Sequence, residues 1–427
     1  MTKLCVISSD GHATAQMEEY RPYLDAEYRD EFDEFLVEWS QHGSHTFELP
    51  ALQRRLDPDE AQRWAEEMVE PGRLEGNWNP ARRLQEMARE GMTGEVLFPD
   101  FGIPFELMTG SLASAMNYVP EYDAKRTRAA RNAFNRWLAD FVGHAPLRWA
   151  GMAIVSWDDV ESAVADIRAA KAAGLSGIVL PAFAPERPLF HPDFEPVWNV
   201  LGELDMVVNS HAVISSTSNQ PVRTSGIPHP ALNTRLFSQE AVFFCRNIMT
   251  HLIWGGVMER HPEIRFVFTE QGTGWVIGHL ESMDYSYEGS YGRTDVRDVI
   301  RHKPSEYFAR QCYMGSSLFS QNEVAVRHLV GIEHMMIGMD YPHHEGTVLG
   351  GTQNYLRATL GAEQVPVDEA RLLLAETAGR VFGFDLPALA PIADELNVTS
   401  ESILTPPEID LFPRGDVHRP GWGSGSS

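Results

Sequence analysis

Short apolar runs rich in β-branched residues recur along the chain with helical stretches between them: Leu4 to Ile7, Glu95 to Phe98, Ala150 to Val155, Gly177 to Leu180, Met206 to Val208, Ile264 to Phe268, Cys312 to Met314 and Met335 to Ile337. Strands buried on both faces read as continuous apolar runs, whereas half-exposed antiparallel strands alternate. These runs are mostly continuous, so they predict parallel strands. Between the third and fourth, Ser156 to Asp159 opens a segment whose Val160, Ala163, Val164, Ile167, Ala170 and Lys171 fall at helical spacing, and Gly174 closes it. Asp193 to Leu204 carries Phe194, Val197, Trp198 and Leu201 on one stripe, and Met258 to Pro262 ends a further helix just before a strand. Eight parallel strands with helical crossovers close more readily into a barrel than spread into an open sheet.

The expected fold is therefore of the α/β class: a distorted (β/α)8 TIM barrel with a helical insertion after its first strand and a C-terminal arm. The chain divides into a first barrel strand (1–12), an acidic helical cap (13–91), the body of the barrel (92–384), and an arm that ends in a Pro- and Gly-rich flexible tail (385–427). Ala212 to Asn247, rich in Ser, Thr, Asn and Pro, is a second long excursion of the kind used as a lid or binding loop.

Composition narrows the function. The 427 residues are 43% hydrophobic, enough for a sizeable core, and 35 basic against 60 acidic residues give a net charge of −25. That sign opposes binding to phosphate backbones or anionic lipid, so neither nucleic acid nor membrane is an expected partner. Cys5, Cys245 and Cys312 are too widely spaced for a disulfide framework or a thiolate zinc site, and no signal peptide or spanning segment is evident. A reducing, cytoplasmic location follows.

In an α/β barrel, reactive side chains sit at the C-terminal ends of the strands, so the residue closing each run is the one to inspect. The first run leads into Asp10-Gly11-His12, whose alternate positions face one side of a strand. The fifth ends at His211, the sixth at Glu270, and the eighth at Asp340, followed by Tyr341, Pro342, His343 and His344. Singly, each has a commonplace explanation as a turn residue, a hydrogen-bonded core histidine or half of a buried ion pair. Together at one end of a barrel, Asp10, His12, His211, Glu270 and Asp340 make a nitrogen and oxygen donor set for a divalent metal, Zn, Mn or Fe, with one ion expected and carboxylates enough for two.

The sequence resembles the amidohydrolase-related branch of the metal-dependent amidohydrolase superfamily, the branch of aminocarboxymuconate-semialdehyde decarboxylase and the resorcylate-type decarboxylases. The resemblance spans Leu4 to Ser9 and Gly91 to Phe384. It is carried by Ser9 to His12, Phe134 to Phe141, Pro192 to Trp198, Val208 to His211, Glu259 to Phe266 and Gly338 to His343, the last two being the most specific. It implies that Asp10 and His12 are the first-strand metal motif, His211 the fifth-strand ligand and Asp340 the eighth-strand aspartate, in an enzyme that forms a homodimer. Two departures bear on mechanism. Glu270-Gln271-Gly272 stands where the family usually has His-Gly-Gly, and Gly177 to Pro181 offers no bridging lysine or glutamate.

Such a site activates water for hydrolysis or, with a carboxylated substrate, supports non-oxidative decarboxylation. In this reading Asp340 is the general base, Glu270 a further ligand or proton shuttle, and His343 or His344 a group that contacts substrate or orients a ligand. Aromatic residues near the mouth (Phe98, Phe101, Phe105, Trp157, Phe183, Trp275, Phe319 and Tyr341) point to a bulky, mostly apolar organic substrate, with Phe98, Trp157, Phe183, Trp275 and His344 as its expected contacts. The carboxylate at position 270 also leaves open a non-haem iron oxygenase, with one or two irons, and third a barrel that binds a ligand without chemistry.

Overall fold

In the computed structural model, residues 2–42, 53, 56–100, 102–105, 123–218, 231–289 and 292–407 are described. Their strands are β1 (Ile7–Ser8), β2 (His12–Ala13), β3 (Gly94–Pro99), β4 (Trp149–Ile154), β5 (Gly177–Val179), β6 (Val207–His211), β7 (Phe266–Thr269), β8 (Cys312–Ser316) and β9 (Met335–Ile337). Every pairing is parallel, in the order β1-β3-β4-β5-β6-β7-β8-β9, with β2 also on β3. The seam between the last strand and the first is joined by Ser9 N–H to Ile337 O at 2.7 Å, Asp340 N–H to Asp10 O at 2.9 Å and His12 N–H to Tyr341 O at 2.7 Å. The result is a nearly closed (β/α)8 barrel, with β1 and β2 as two halves of one stave.

The apolar runs map onto the strands with small shifts that have local causes. The first run was expected to be a strand from Leu4. Instead Leu4 N–H bonds Val398 O, and pairing begins only at Ile7. The stave then breaks at Ser9 and Asp10, where the Ser8 hydroxyl bonds the Asp10 carbonyl at 2.5 Å and substitutes for a ladder contact. The sixth strand starts at Phe266 rather than Ile264, because Ile264 N–H is still held by His261 O in the preceding turn. The helix Val160–Ala172 is capped by Asp159, whose carboxylate accepts Ser162 N–H at 2.9 Å, and ends before Gly174 at φ +93°.

Strand side chains are buried on both faces of the sheet: Val96 and Met336 share the face of His211 inside the barrel, and Ile178, Val208, Phe268 and Met314 lie on the opposite face. Between β2 and β3 the described residues include the helices Met17–Tyr23, Arg29–His42, Pro58–Trp64 and Pro80–Glu90. Met87 of Pro80–Glu90 is wholly buried and its sulfur accepts the Trp149 indole N–H at 3.1 Å, fixing this helix to β4. Trp64 and Met68 pack in a separate apolar cluster with Tyr341, Val348 and Leu349, so the inserted helices clamp the loop that follows β9. The helices Leu386–Leu396 and Ser400–Leu404 lie against the start of the chain through the Lys3–Thr399 bridge. Residues 408–427 of the expected tail and 219–230 of the expected lid fall outside the described residues. Among the described residues no helix is long and apolar enough to cross a membrane.

Candidate metal centre

Four strand ends deliver the side chains that sequence reasoning singled out. Asp10 and His12 flank Gly11 at the broken first stave, His211 is the last residue of β6, Glu270 follows β7 and Asp340 follows β9. Asp10, His12 and His211 are buried and offer ligand atoms within 4.8 Å of one another, and His12, Asp340 and His343 form a second such group. His12 Nε2 lies 3.6 Å from Asp10 Oδ1 and 3.2 Å from Asp340 Oδ1, and His211 Nε2 lies 3.3 Å from Asp10 Oδ1.

Both imidazoles are set up as ligands by the backbone behind them. His12 Nδ1 sits 2.9 Å from Pro99 O and His211 Nδ1 sits 2.9 Å from Ala212 O. A carbonyl can only accept, so Nδ1 carries the proton in each ring and Nε2 presents its lone pair inward. His12 Nε2 and both carboxylate oxygens of Asp340 have no hydrogen-bond partner among the described residues, although Asp340 is completely buried. Leaving such groups bare in a protein interior costs several kcal/mol, on the order of 1–3 for each neutral group and more for a charge. A divalent cation satisfies them all at once, and the donor set fits one.

Backbone conformation is committed to the same end. Asp340 at φ +56° and Glu270 at φ +58° occupy the left-handed region that non-glycine residues avoid, and each turns a carboxylate inward. Gly338 permits the closest approach, since a Cβ there would stand 2.6 Å from the Asp10 Cβ. A fully buried ion pair, Arg83 with Glu95 at 2.8 Å, underlies the first motif: Arg83 also donates to the His12 carbonyl at 2.7 Å and lies 4.0 Å over the Tyr341 ring.

Charges at the site are mutually arranged. Burial pushes the Asp10 carboxyl up, but His211, His12 and the Ser317 hydroxyl outweigh it and hold Asp10 below its ordinary range. Burial and the carboxylates of Asp340 and Asp10 push Glu270 well above its ordinary value. His343 is opposed by burial yet raised well above the usual imidazole range by Asp340 and Asp100. Its Nδ1 is 3.0 Å from Asp340 Oδ1 and its Nε2 is 3.6 Å from Asp100 Oδ1. Asp100, despite burial, is lowered to about 2 by His343, His12 and the amide of Asn77, which donates at 2.7 Å.

Two groups went unnoticed in the sequence. Asp100 closes the second apolar run, where inspecting every run would have found it. Glu345 follows His343 and His344, and its carboxylate joins Glu270, Asp340 and His343 within 4.8 Å.

The expected substrate contacts separate. Phe98 packs on the His211 ring with centroids 4.6 Å apart. Trp157 and Phe183 line a cavity of about 240 Å³ with Pro99, Ile154, Leu180, Phe194 and Ile214, so this cavity shares Pro99 with the mooring of His12. Trp275 packs elsewhere, against Arg246 and His279, with its indole N–H on Gly272 O. His344 Nδ1 lies 2.5 Å from Glu345 Oε2. Phe101 lies outside the described residues.

The amidohydrolase family model matches residues 78–384. No curated protein matches significantly. Among solved structures, the chain is similar to 5-carboxyvanillate decarboxylase from Sphingomonas paucimobilis, with 19% identity, coverage of 89% of this chain and 99% of that one, and a TM-score of 0.61. It is also similar to 2,6-dihydroxybenzoate decarboxylase from Rhizobium, with 16% identity, coverage of 90% and 99%, and a TM-score of 0.58. A 5-carboxyvanillate decarboxylase from Novosphingobium aromaticivorans, at 16% identity, coverage of 89% and 97% and a TM-score of 0.60, holds manganese and 3-methoxy-4-hydroxy-5-nitrobenzoic acid. These likenesses carry the fold, and none of them lends support to iron-dependent oxygenation.

Proposed function

This chain belongs to the amidohydrolase family, and on that premise we propose that it is a metal-dependent hydrolase of bulky, mostly apolar, uncharged carbonyl compounds: amides, esters, lactones or thioesters. Asp10, His12 and His211 hold the ion, with Asp340 beside it. Bound there, a divalent ion supplies Lewis acidity, polarising a carbonyl oxygen and lowering the pKa of water toward about 7.

The protein's own groups do the rest. The Oδ2 of Asp340, with no hydrogen-bond partner among the described residues, takes a proton from the attacking water. His343, held as the imidazolium between Asp340 at 3.0 Å and Asp100 at 3.6 Å, gives a proton to the leaving group and regains one from Asp340. Phe98 shields the His211 ring from water, and the 240 Å³ cavity takes the apolar portion of the substrate.

What favours hydrolysis is the sign of the charge around Asp340. Glu270 and Glu345 stand beside it, while Arg83, the guanidinium that reaches the His12 carbonyl, is committed to Glu95. A substrate carboxylate meets the charges of Asp340 and Glu345 there, and a neutral carbonyl is not repelled by them. Decarboxylation is the second reading, favoured by the likeness to carboxyvanillate and dihydroxybenzoate decarboxylases.

The test is turnover of neutral aryl and alkyl esters, amides and lactones by Mn- or Zn-loaded protein in ¹⁸O-water, set against aromatic carboxylic acids. Hydrolysis places one heavy oxygen in the acid product and needs no dioxygen. Carbon dioxide released from the acids, with the acyl compounds untouched, overturns the hydrolytic reading in favour of decarboxylation.

A further inference from the structure

We propose that Asn77, which belongs to the inserted helices and not to the barrel strands, is a positioning residue for proton transfer: its amide holds Asp100, and Asp100 orients the His343 ring. The inference rests on the hydrolase reading above, in which His343 gives the proton to the leaving group. It extends that route by a residue that no strand end carries.

The side chains stand in a row. Asn77 Nδ2 donates to Asp100 Oδ2 at 2.7 Å, Asp100 Oδ1 faces His343 Nε2 at 3.6 Å, and His343 Nδ1 faces Asp340 Oδ1 at 3.0 Å. Asn77, Asp100, His343 and Asp340 are all buried. One oxygen of Asp100 goes to the amide and the other to the imidazole, so the amide fixes the carboxylate against which the ring is set.

The Asn77 amide serves no other group. Among the described residues its Nδ2 makes this one hydrogen bond and its Oδ1 makes none. The contact of Asn77 with the first stave is made by its main chain, whose carbonyl accepts Thr14 N–H at 3.0 Å. Leucine would fill the same space without burying an unpaired acceptor, which costs about 1–3 kcal/mol. An amide kept there at that cost is there for the carboxylate it holds.

The same short helix, Arg73–Asn77, also holds the backbone of the route. The Arg73 carbonyl accepts the Tyr341 hydroxyl, and a Cβ at Gly76 would collide with that hydroxyl. Tyr341 follows Asp340 directly and precedes His343 by two residues. The Arg73 side chain pins the helix in place, bonded to the buried Glu86 and Glu90 at 2.7 and 3.0 Å and to Val348 O at 3.1 Å. One piece of the insertion therefore sets both the loop that carries His343 and the carboxylate that its ring faces.

The experiment is a double-variant cycle on Zn-loaded full-length protein. It is read by kcat and KM on the neutral acyl compound turned over, and by ¹H–¹⁵N spectra of protein labelled at its histidine rings, the His343 signals being those absent from His343→Ala. Asn77→Leu should lower kcat about 10-fold, the low end for losing a group that orients a site imidazole, with KM within about 2-fold of wild type. Zinc per chain should be unchanged, and the His343 signals should move while those of His211 stay. Asp100→Asn should lower kcat at least as far, and adding Asn77→Leu to it should lower kcat no further, because both act through one carboxylate. Asn77→Ala repeats the measurements if leucine prevents folding. Unmoved His343 signals in Asn77→Leu, or effects of the two substitutions that multiply, overturn the proposal and leave the hydrolase reading standing. Loss of zinc together with impaired KM and kcat overturns it as well, since that marks a structural role. If His343→Ala keeps wild-type kcat, the proton route of the hydrolase reading fails and this inference fails with it.

Discussion

The imidazole rings of His12 and His343 lie face to face, with centroids 4.0 Å apart and planes 15° from parallel. One ring is moored to Pro99 O as a ligand, and the other is held between Asp340 and Asp100. On the proposed function, the stack joins the residues that hold the cation to the one that moves a proton.

His343→Ala removes the proton carrier and one face of that stack. We expect kcat to fall by about 10- to 100-fold, the usual effect of losing a group that orients metal ligands. The ion at Asp10, His12 and His211 should stay. Steady-state kinetics alongside metal content checks this, and an unchanged kcat would exclude His343 from proton transfer.

Asp340→Asn keeps the shape and deletes the base. Turnover should drop by about 10²- to 10⁴-fold, the range contributed by general acid–base groups, while some metal is retained. A variant with wild-type kcat would show that the proton goes elsewhere.

At Gly338 the test is geometric. A methyl group there meets the Asp10 Cβ at 2.6 Å, with Ser317 Cα and Ser316 O at 3.0 and 3.1 Å, and the latter two are backbone that cannot swing away. Gly338→Ala should lower stability by about 1–3 kcal/mol through overpacking. By moving Asp10 it should also weaken metal binding roughly 10-fold or more. Thermal unfolding and calorimetric metal titration measure the two effects separately.

Arg83 and Glu95 are both fully buried, and a pair in that setting is costly to break from one side. Arg83→Met leaves an unpaired carboxylate against Gly11 and should cost about 3–5 kcal/mol in denaturant unfolding. Arg83→Met combined with Glu95→Gln should recover a good part of that loss. Failure of the double variant to recover would mean that the bonds of Arg83 to the His12 and Gly76 carbonyls, not the ion pair, dominate.

The barrel and much of its site were legible because strand burial and strand-end chemistry are both local signals. Ile178, Val208 and Met336 announce two-sided burial in their own runs, and Asp10, His211, Glu270 and Asp340 close theirs. Asp100 carries the same signal at the end of β3 and joins the candidate site only through its partner, His343, distant in sequence. Glu345 had no signal of its own, because its approach to Glu270 depends on the turn that starts at Asp340. Trp275 shows the converse: an aromatic after a strand reads as a mouth residue, but the first turn of helix Trp275–Glu288 directs it onto Arg246. The split of the first stave was likewise hidden, since it depends on which backbone groups the seam with β9 leaves free.

The most direct measurement is the metal content and turnover of protein purified without chelator, for wild type and His211→Ala side by side. The account predicts a first-row divalent ion in wild-type protein, activity that vanishes on chelation and returns with Mn or Zn, and a His211→Ala variant that is folded, depleted of that ion and inactive. Full activity in His211→Ala with no metal added would contradict it.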